Sequence, residues 1–136
     1  MAEDVTARNR ARVEAIYAAY RAGDMPTVMA ALAEDIRWTS GEAPGAPWCG
    51  ERHGHAGVQE YFATLRAECE ILDYRIGRFI VDGDWAAVTA TVRARFRRSG
   101  EEQEIDKVDV LRLRDGKVAE FREFYDTAAI AAACAA

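Results

Sequence analysis

Apolar side chains recur along this chain with two different periods, and the change of period divides it into two stretches of different structure. Val13, Ile16, Tyr17 and Tyr20 stand at i, i+3, i+4 and i+7, the spacing of one helical face. Gly23 ends that stripe, since glycine readily takes the left-handed conformation that closes helices. Asp24 then caps a second, shorter helix carrying Val28, Met29 and Leu32. Ile36, Trp38 and Ser40 alternate with polar residues and predict a short strand. Residues 41–57 hold two of the three prolines and five of the ten glycines, and read as a loop. Structureless loops of that length in a compact domain are often functional. A third helix follows, with Val58, Tyr61, Phe62 and Leu65 at the helical spacing.

After Glu70 the period shortens. Strand-like runs occupy 71–81, 85–98, 102–114 and 117–126, separated by the hairpin-turn pairs Asp82-Gly83, Ser99-Gly100 and Asp115-Gly116. The alanine-rich tail from Thr127 reads as a weak helix or a frayed end. Helices first and an antiparallel meander afterwards make an α+β layout. No internal repeat or linker interrupts it, so residues 1–136 are expected to form one domain.

Composition narrows the partners. With 18 Lys+Arg against 23 Asp+Glu the formal charge is −5, which argues against a nucleic-acid or anionic-membrane binder. No apolar run is long enough to span a bilayer, and the N-terminal MAEDVTARNR has no apolar core of a secretion signal. Cys49, Cys69 and Cys134 are odd in number and widely spaced, as reduced thiols in a cytoplasmic protein would be.

One basic run, RARFRR at 93–98, looks like a polyanion site until it is folded across Ser99-Gly100. A two-residue turn there sets Arg97 against Glu102, Arg95 against Glu104 and Arg93 against Asp106, a neutralised ladder worth at most ~1 kcal/mol per pair. The other face pairs Phe96 with Gln103, Ala94 with Ile105, Val92 with Lys107, Ala90 with Asp109 and Val88 with Leu111. It is apolar except for Lys107 and Asp109, which point the same way. Buried charge is costly unless paired, so these two either pair with each other, reach the open end of the sheet, or line a ligand cavity where such groups have shifted pKa values. The last strand admits two registers. A two-residue Asp115-Gly116 loop sets Arg122 opposite Asp109, whereas a three-residue loop with Gly116 left-handed sets Glu123 there. The second presents the more apolar face (Ala119, Phe121, Tyr125) and is preferred, which makes Lys107, Asp109 and Glu123 converge.

Three segments, YAAYRAGDMPTVMAALAEDIRW, PWCGERHGHAGVQEYF and VLRLRDGKVAEFREFYDTAAI, resemble the SnoaL-like, ketosteroid-isomerase-related proteins of the nuclear transport factor 2 (NTF2-like) superfamily. The resemblance runs from about residue 10 to 131 through a Gly-Asp helix break, an Asp-hydrophobic-x-Trp segment and Asp-Gly-Lys-Val before an aromatic strand. It implies a cystatin-like cone: three N-terminal helices packed on a curved, mostly antiparallel sheet around one apolar pocket, commonly in a homodimer. The superfamily includes isomerases, polyketide cyclases, epoxide hydrolases and proteins without catalysis, so the fold alone does not name a reaction. Asp109 matches the protonated oxyanion-hole aspartate of bacterial ketosteroid isomerase. That enzyme's base position holds Ser40 here, and its tyrosine position holds Ile16 with Tyr17 one place off, so its steroid chemistry does not carry over. FREFYD resembles a limonene epoxide hydrolase segment whose aspartate points to Glu123, while the partner positions of that triad fall near Ala90 and Val92. The SnoaL cyclase comparison leaves Asp109 as an acid/base.

The expectation is therefore a small-molecule enzyme without a cofactor, acting on a small hydrophobic carbonyl or epoxide-type substrate by isomerisation, cyclisation or water addition. Asp109 is the acid/base, Lys107 or a tyrosine stabilises developing oxyanion charge, and Glu123 assists or orients. Tyr17, Trp38, Ser40, Trp48, His53, Phe62, Tyr74, Val92, Phe121 and Tyr125 are the expected pocket residues. His53 and His55 also read as surface or capping residues, and with no third ligand nearby no metal is expected. Tyr17, Tyr61 and Tyr74 read as core residues with satisfied hydroxyls rather than as proton donors, and Cys49 has no base beside it. Two other readings remain open: a binding module that holds a hydrophobic ligand without chemistry, and a dimerisation scaffold whose pocket its own side chains fill.

Overall fold

The computed structural model describes residues 2–135. The chain runs α1 (Ala2–Arg21), α2 (Met25–Ala30), β1 (Leu32–Ser40), β2 (Gly50–His53), α3 (Gly54–Glu68), β3 (Cys69–Asp82), β4 (Trp85–Phe96), β5 (Glu102–Arg114), β6 (Lys117–Tyr125) and α4 (Thr127–Ala135). The strands form one open sheet in the order β2-β1-β6-β5-β4-β3, antiparallel except where β1 runs parallel to β6. The α+β class and the curved, mostly antiparallel sheet match the expectation, although α3 enters after two strands and a fourth helix ends the chain.

Helix α1 presents Val13 and Tyr17 to the sheet, and both are buried. Its buried polar residue Asn9 donates to Gly83 O at 2.9 Å, and Thr6 Oγ1 accepts from Gly83 N at 2.9 Å, so α1 is pinned to the β3–β4 turn. Asp24 caps α2 by accepting from Thr27 N at 3.2 Å. Leu32 is not on α2: it begins β1 beside Val118 of β6, where it is buried. The irregular segment is also shorter than its composition implies. Residues 50–53 form β2 against β1, and α3 starts at Gly54. Its sequence, GERH, is polar and four residues long, too short for a period to show.

Curvature comes from β3, whose pairing with β4 slips between Ile71 and Asp73 and again between Ile76 and Phe79. Gly77 lies in the second slip, where a Cβ would come within 2.5 Å of Thr89 Oγ1. The inner face then closes around α1 and α3, and the outer face leaves Ile80, Trp85, Val108 and Phe124 exposed. Among the described residues no helix is long and apolar enough to cross a membrane.

Two registers differ from the expected ones in instructive ways. The β4–β5 hairpin pairs Arg95 with Glu102, Arg93 with Glu104 and Thr91 with Asp106, two residues removed from the two-residue-turn register. The cause is Arg97, which leaves β4: its N–H donates to Glu68 O at 2.9 Å and its Nε to Arg66 O at 2.8 Å, closing the end of α3. Because side chains alternate, a slip of two leaves every residue on its face. Inward neighbours change to Ala94 with Gln103, Val92 with Ile105, Ala90 with Lys107, Val88 with Asp109 and Ala86 with Leu111. In the β5–β6 hairpin Asp109 does face Glu123, but by neither simple route. The turn is a two-residue one, with Asp115 (φ 52°) and Gly116 (φ 78°) both left-handed and Arg114 opposite Lys117. The pairing then shifts between Arg112 and Leu113, a bulge that carries Glu123 into place.

Candidate functional site

Inside the cone is a cavity of about 110 Å³, walled almost wholly by apolar and aromatic side chains. Helix α1 supplies Tyr17 and Tyr20, α3 supplies Tyr61 and Phe62, β1 supplies Trp38, and α4 supplies Ile130. Trp38 stacks on Phe121 with ring centres 3.8 Å apart and planes at 16°, a flat apolar wall across β1 and β6.

Into this wall β5 and β6 set three ionisable groups. Lys107 Nζ lies 2.6 Å from Glu123 Oε2 and 3.0 Å from Asp109 Oδ1. Glu123 is saturated: its Oε1 accepts from Ser40 Oγ at 2.6 Å and from Tyr61 OH at 2.6 Å. Tyr125 OH stands 3.1 Å from Ser40 Oγ and donates to Gly41 O at 2.8 Å. Asp109 accepts on Oδ2 from Tyr17 OH at 2.5 Å, while Oδ1 meets no donor in hydrogen-bond geometry among the described residues. Asp109 is 1 % exposed and Glu123 6 %.

The electrostatics separates the two carboxyls. Burial raises the pKa of Asp109; the Lys107 ammonium pulls it down and the Glu123 carboxylate pushes it up, and the result stays above the ordinary value. Burial acts on Glu123 too, yet the Lys107 charge and the donors from Lys107, Ser40 and Tyr61 bring it below the ordinary value. For Lys107, burial lowers the pKa, but the Asp109 and Glu123 charges outweigh it and hold the ammonium well above its usual range. The arrangement is a fixed ion pair, Lys107 with Glu123, beside a carboxyl that resists ionising. Burial also raises Tyr17 and Tyr61 well above the usual phenol value, with their carboxylate partners adding to the rise.

Of the expected pocket residues, Tyr17, Trp38, Trp48, Phe62, Tyr74, Val92, Phe121 and Tyr125 line the cavity together with Lys107, Asp109 and Glu123. Ser40 lies behind the wall as a donor to Glu123. His53 is not in the pocket: it is exposed on the edge strand β2, with Nε2 3.3 Å from Glu51 Oε2. Its neighbour His55 places Nε2 3.0 Å from Leu32 O. Cys49 turns its thiol toward Ala43 O at 3.6 Å, and burial pushes the Cys69 thiol in the cavity wall up to about 12. The expected set lacked Tyr20, Tyr61 and Ile130 as wall residues. Tyr20 and Tyr61 carried the helical-face signal but no sign of polar use, and the alanine-rich tail gave Ile130 no period. Among the described residues no group of three or more His, Cys, Asp or Glu could hold a metal ion.

Residues 13–121 match the family model of the SnoaL-like domain. Solved structures agree in fold over nearly the whole chain. An NTF2-like protein from Burkholderia xenovorans LB400 is 30% identical, superposing over 95% of this chain and 97% of its own with a TM-score of 0.82. An NTF2-like protein of unknown function from Burkholderia pseudomallei K96243 is 29% identical over 95% and 98%, with a TM-score of 0.82. TerC, co-crystallised with polyporic acid, is 26% identical over 95% and 99%, with a TM-score of 0.80. No curated protein matches the chain in sequence.

Proposed function

The chain belongs to the SnoaL-like domain family, and from that membership we propose that it is a small-molecule enzyme in which Asp109 is the acid/base. The observation that carries the reading is the state of Asp109 Oδ1. In an apolar cavity this oxygen accepts from no hydroxyl or amide among the described residues, and its near neighbour is the Lys107 ammonium at 3.0 Å. Its raised pKa makes its ionised form a stronger base than an ordinary aspartate. In the reaction class this fits, Oδ1 takes a proton from the carbon beside a substrate carbonyl. The C–H bond breaks, an O–H bond forms on Asp109, and the electron pair moves onto the carbonyl oxygen as an enolate. Return of that proton to another carbon isomerises the substrate; attack of the enolate carbon on a second carbonyl closes a ring and leaves an alkoxide, which takes the proton back from Asp109. Glu123 stays ionised throughout and positions Lys107, whose charge offsets the one that Asp109 gains when it ionises.

The test is deuterium exchange into a small cyclic ketone, cyclohex-2-enone, followed by NMR in heavy water. Wild-type protein is expected to accelerate exchange, and Asp109→Asn to lose about a hundredfold or more of that acceleration. Equal exchange by both proteins would remove Asp109 from the mechanism. One observation favours a second reading, binding without chemistry: Asp109 and Glu123 are 1 % and 6 % exposed, so a ligand reaches little of either carboxyl. A protein that binds the ketone, or the polyporic acid crystallised with TerC, and exchanges nothing is a binding module. The cavity itself argues against a filled scaffold. At about 110 Å³ it approaches the roughly 150 Å³ of an apolar cavity that admits benzene.

A further inference from the structure

A phenol has one proton to donate, and most of the donors around this cavity have already placed theirs. Tyr17 donates to Asp109, Tyr61 and Ser40 to Glu123, and Tyr125 to Gly41 O. Lys107 is held between the Glu123 carboxylate and the Asp109 carboxyl. Developing charge on a ligand oxygen is therefore not met by Tyr17 or Tyr61 without breaking a bond inside the protein. Besides the Trp38 indole N–H, which is buried without a partner among the described residues, two hydroxyls remain. Tyr20 and Tyr74 both line the cavity, from α1 and β3, with their rings edge to face and centres 5.3 Å apart. Among the described residues neither hydroxyl has a protein partner, unlike those of Tyr17, Tyr61 and Tyr125.

Packing fixes where these rings stand. The Tyr20 ring rests on Phe62 with centres 5.8 Å apart, and the Tyr74 ring lies beneath Lys107 Nζ, 5.7 Å from its centre. The two rings thus border the same end of the cavity as Lys107 and Asp109, whose charges act on both phenols. The ammonium over Tyr74 makes a second cation unwelcome, which leaves an acceptor oxygen as the group that fits. Burial raises both phenols, so they remain protonated donors at neutral pH. Cavity size limits the rest of the ligand to about one small ring.

We propose that the hydroxyls of Tyr20 and Tyr74 are the paired donors that receive the oxygen of the ligand, and that the ligand class is a small single-ring compound bearing one carbonyl or phenolic oxygen. The proposal rests on the reading above that the cavity takes a ligand, and it holds whether or not proton transfer follows. It makes Tyr20 and Tyr74 determinants of specificity in a site whose other hydroxyls serve the protein's own groups.

Phenol and toluene test it, because they share a ring and differ by a hydroxyl against a methyl. Their affinities are measured by calorimetry or ligand-observed NMR for wild-type protein, Tyr20→Phe and Tyr74→Phe. Wild-type protein is expected to bind phenol at least as tightly as toluene, although phenol is the better hydrated. Each variant is expected to lose about threefold to tenfold in phenol affinity with toluene unchanged. Phenol affinity untouched in both variants, or toluene bound and phenol refused, overturns the assignment while the ligand-cavity reading stands. Failure of the wild-type protein to bind either compound overturns both.

Discussion

Lys107 and Glu123 form an ion pair between neighbouring strands, Nζ to Oε2 at 2.6 Å, with their side chains 12 % and 6 % exposed. Removing one partner of a buried pair leaves a charge without compensation and costs about 3–5 kcal/mol, whereas replacing both by apolar groups can be close to neutral. Lys107→Met and Glu123→Leu are each expected to be strongly destabilised in urea unfolding. The double variant is expected to lie nearer the wild type than the sum of the singles. A double variant as unstable as that sum would mean that the two charges act independently.

The two carboxyls predict opposite responses to acid. Asp109 has a folded pKa above its ordinary 3.8, so its contribution to stability is complete below that value and is lost as pH rises through the folded one. Glu123 has a folded pKa below its ordinary 4.5, so its contribution is present above that value and is lost as pH falls through the folded one. Unfolding free energy measured from pH 3 to 7 is expected to climb out of acid and then decline. Asp109→Asn removes the decline and Glu123→Gln weakens the climb. An Asp109→Asn profile parallel to the wild type above pH 4 would contradict the assignment.

Alkaline titration gives a spectroscopic counterpart. All five tyrosines, Tyr17, Tyr20, Tyr61, Tyr74 and Tyr125, have pKa values raised above 10.0, with burial as the largest cause. Phenolate absorbance at 295 nm is therefore expected to stay low at pH 10 in the folded protein and to be about half developed in urea. A group raised on folding stabilises below its unfolded pKa and loses that effect as pH rises through the folded one, so stability falls above pH 10. Any tyrosine that ionises at its ordinary pH in the folded chain would break the pattern.

Side-chain alternation explains which parts of this site were legible beforehand. Lys107 and Asp109 share a face in any register whose slip is even, so their inward placement survived the displacement that Arg97 imposes on the β4–β5 hairpin. Glu123 was a closer matter. A turn of two residues alone would have put Arg122 beside Asp109, and the bulge near Leu113 reverses that without a glycine or proline to announce it. His53 fell outside because β2 is four residues of polar edge strand, paired to β1 by backbone and carrying no apolar period. Tyr20 shows the deeper limit. Helical spacing put it on the buried face with Tyr17, but which hydroxyl finds a partner depends on strands about ninety residues away, as Tyr17 and Asp109 illustrate.

The bend in β3 gives the last prediction. A Cβ on Gly77 would stand 2.5 Å from Thr89 Oγ1 and 3.5 Å from Thr89 O. The hydroxyl is not free to swing aside, since it accepts from Arg78 N at 2.8 Å within the same slip of register. Gly77→Ala must therefore move a backbone that two strands share, and overpacking of this kind costs about 1–3 kcal/mol. Thr89→Ala removes the clash and also removes the acceptor for Arg78 N–H, so alone it is expected to cost about 1 kcal/mol. In the double variant the clash is gone, and its stability is expected to match Thr89→Ala rather than fall below it. Urea unfolding of the four proteins decides the point. A Gly77→Ala protein as stable as the wild type would show that the bend does not depend on the close approach of these two strands.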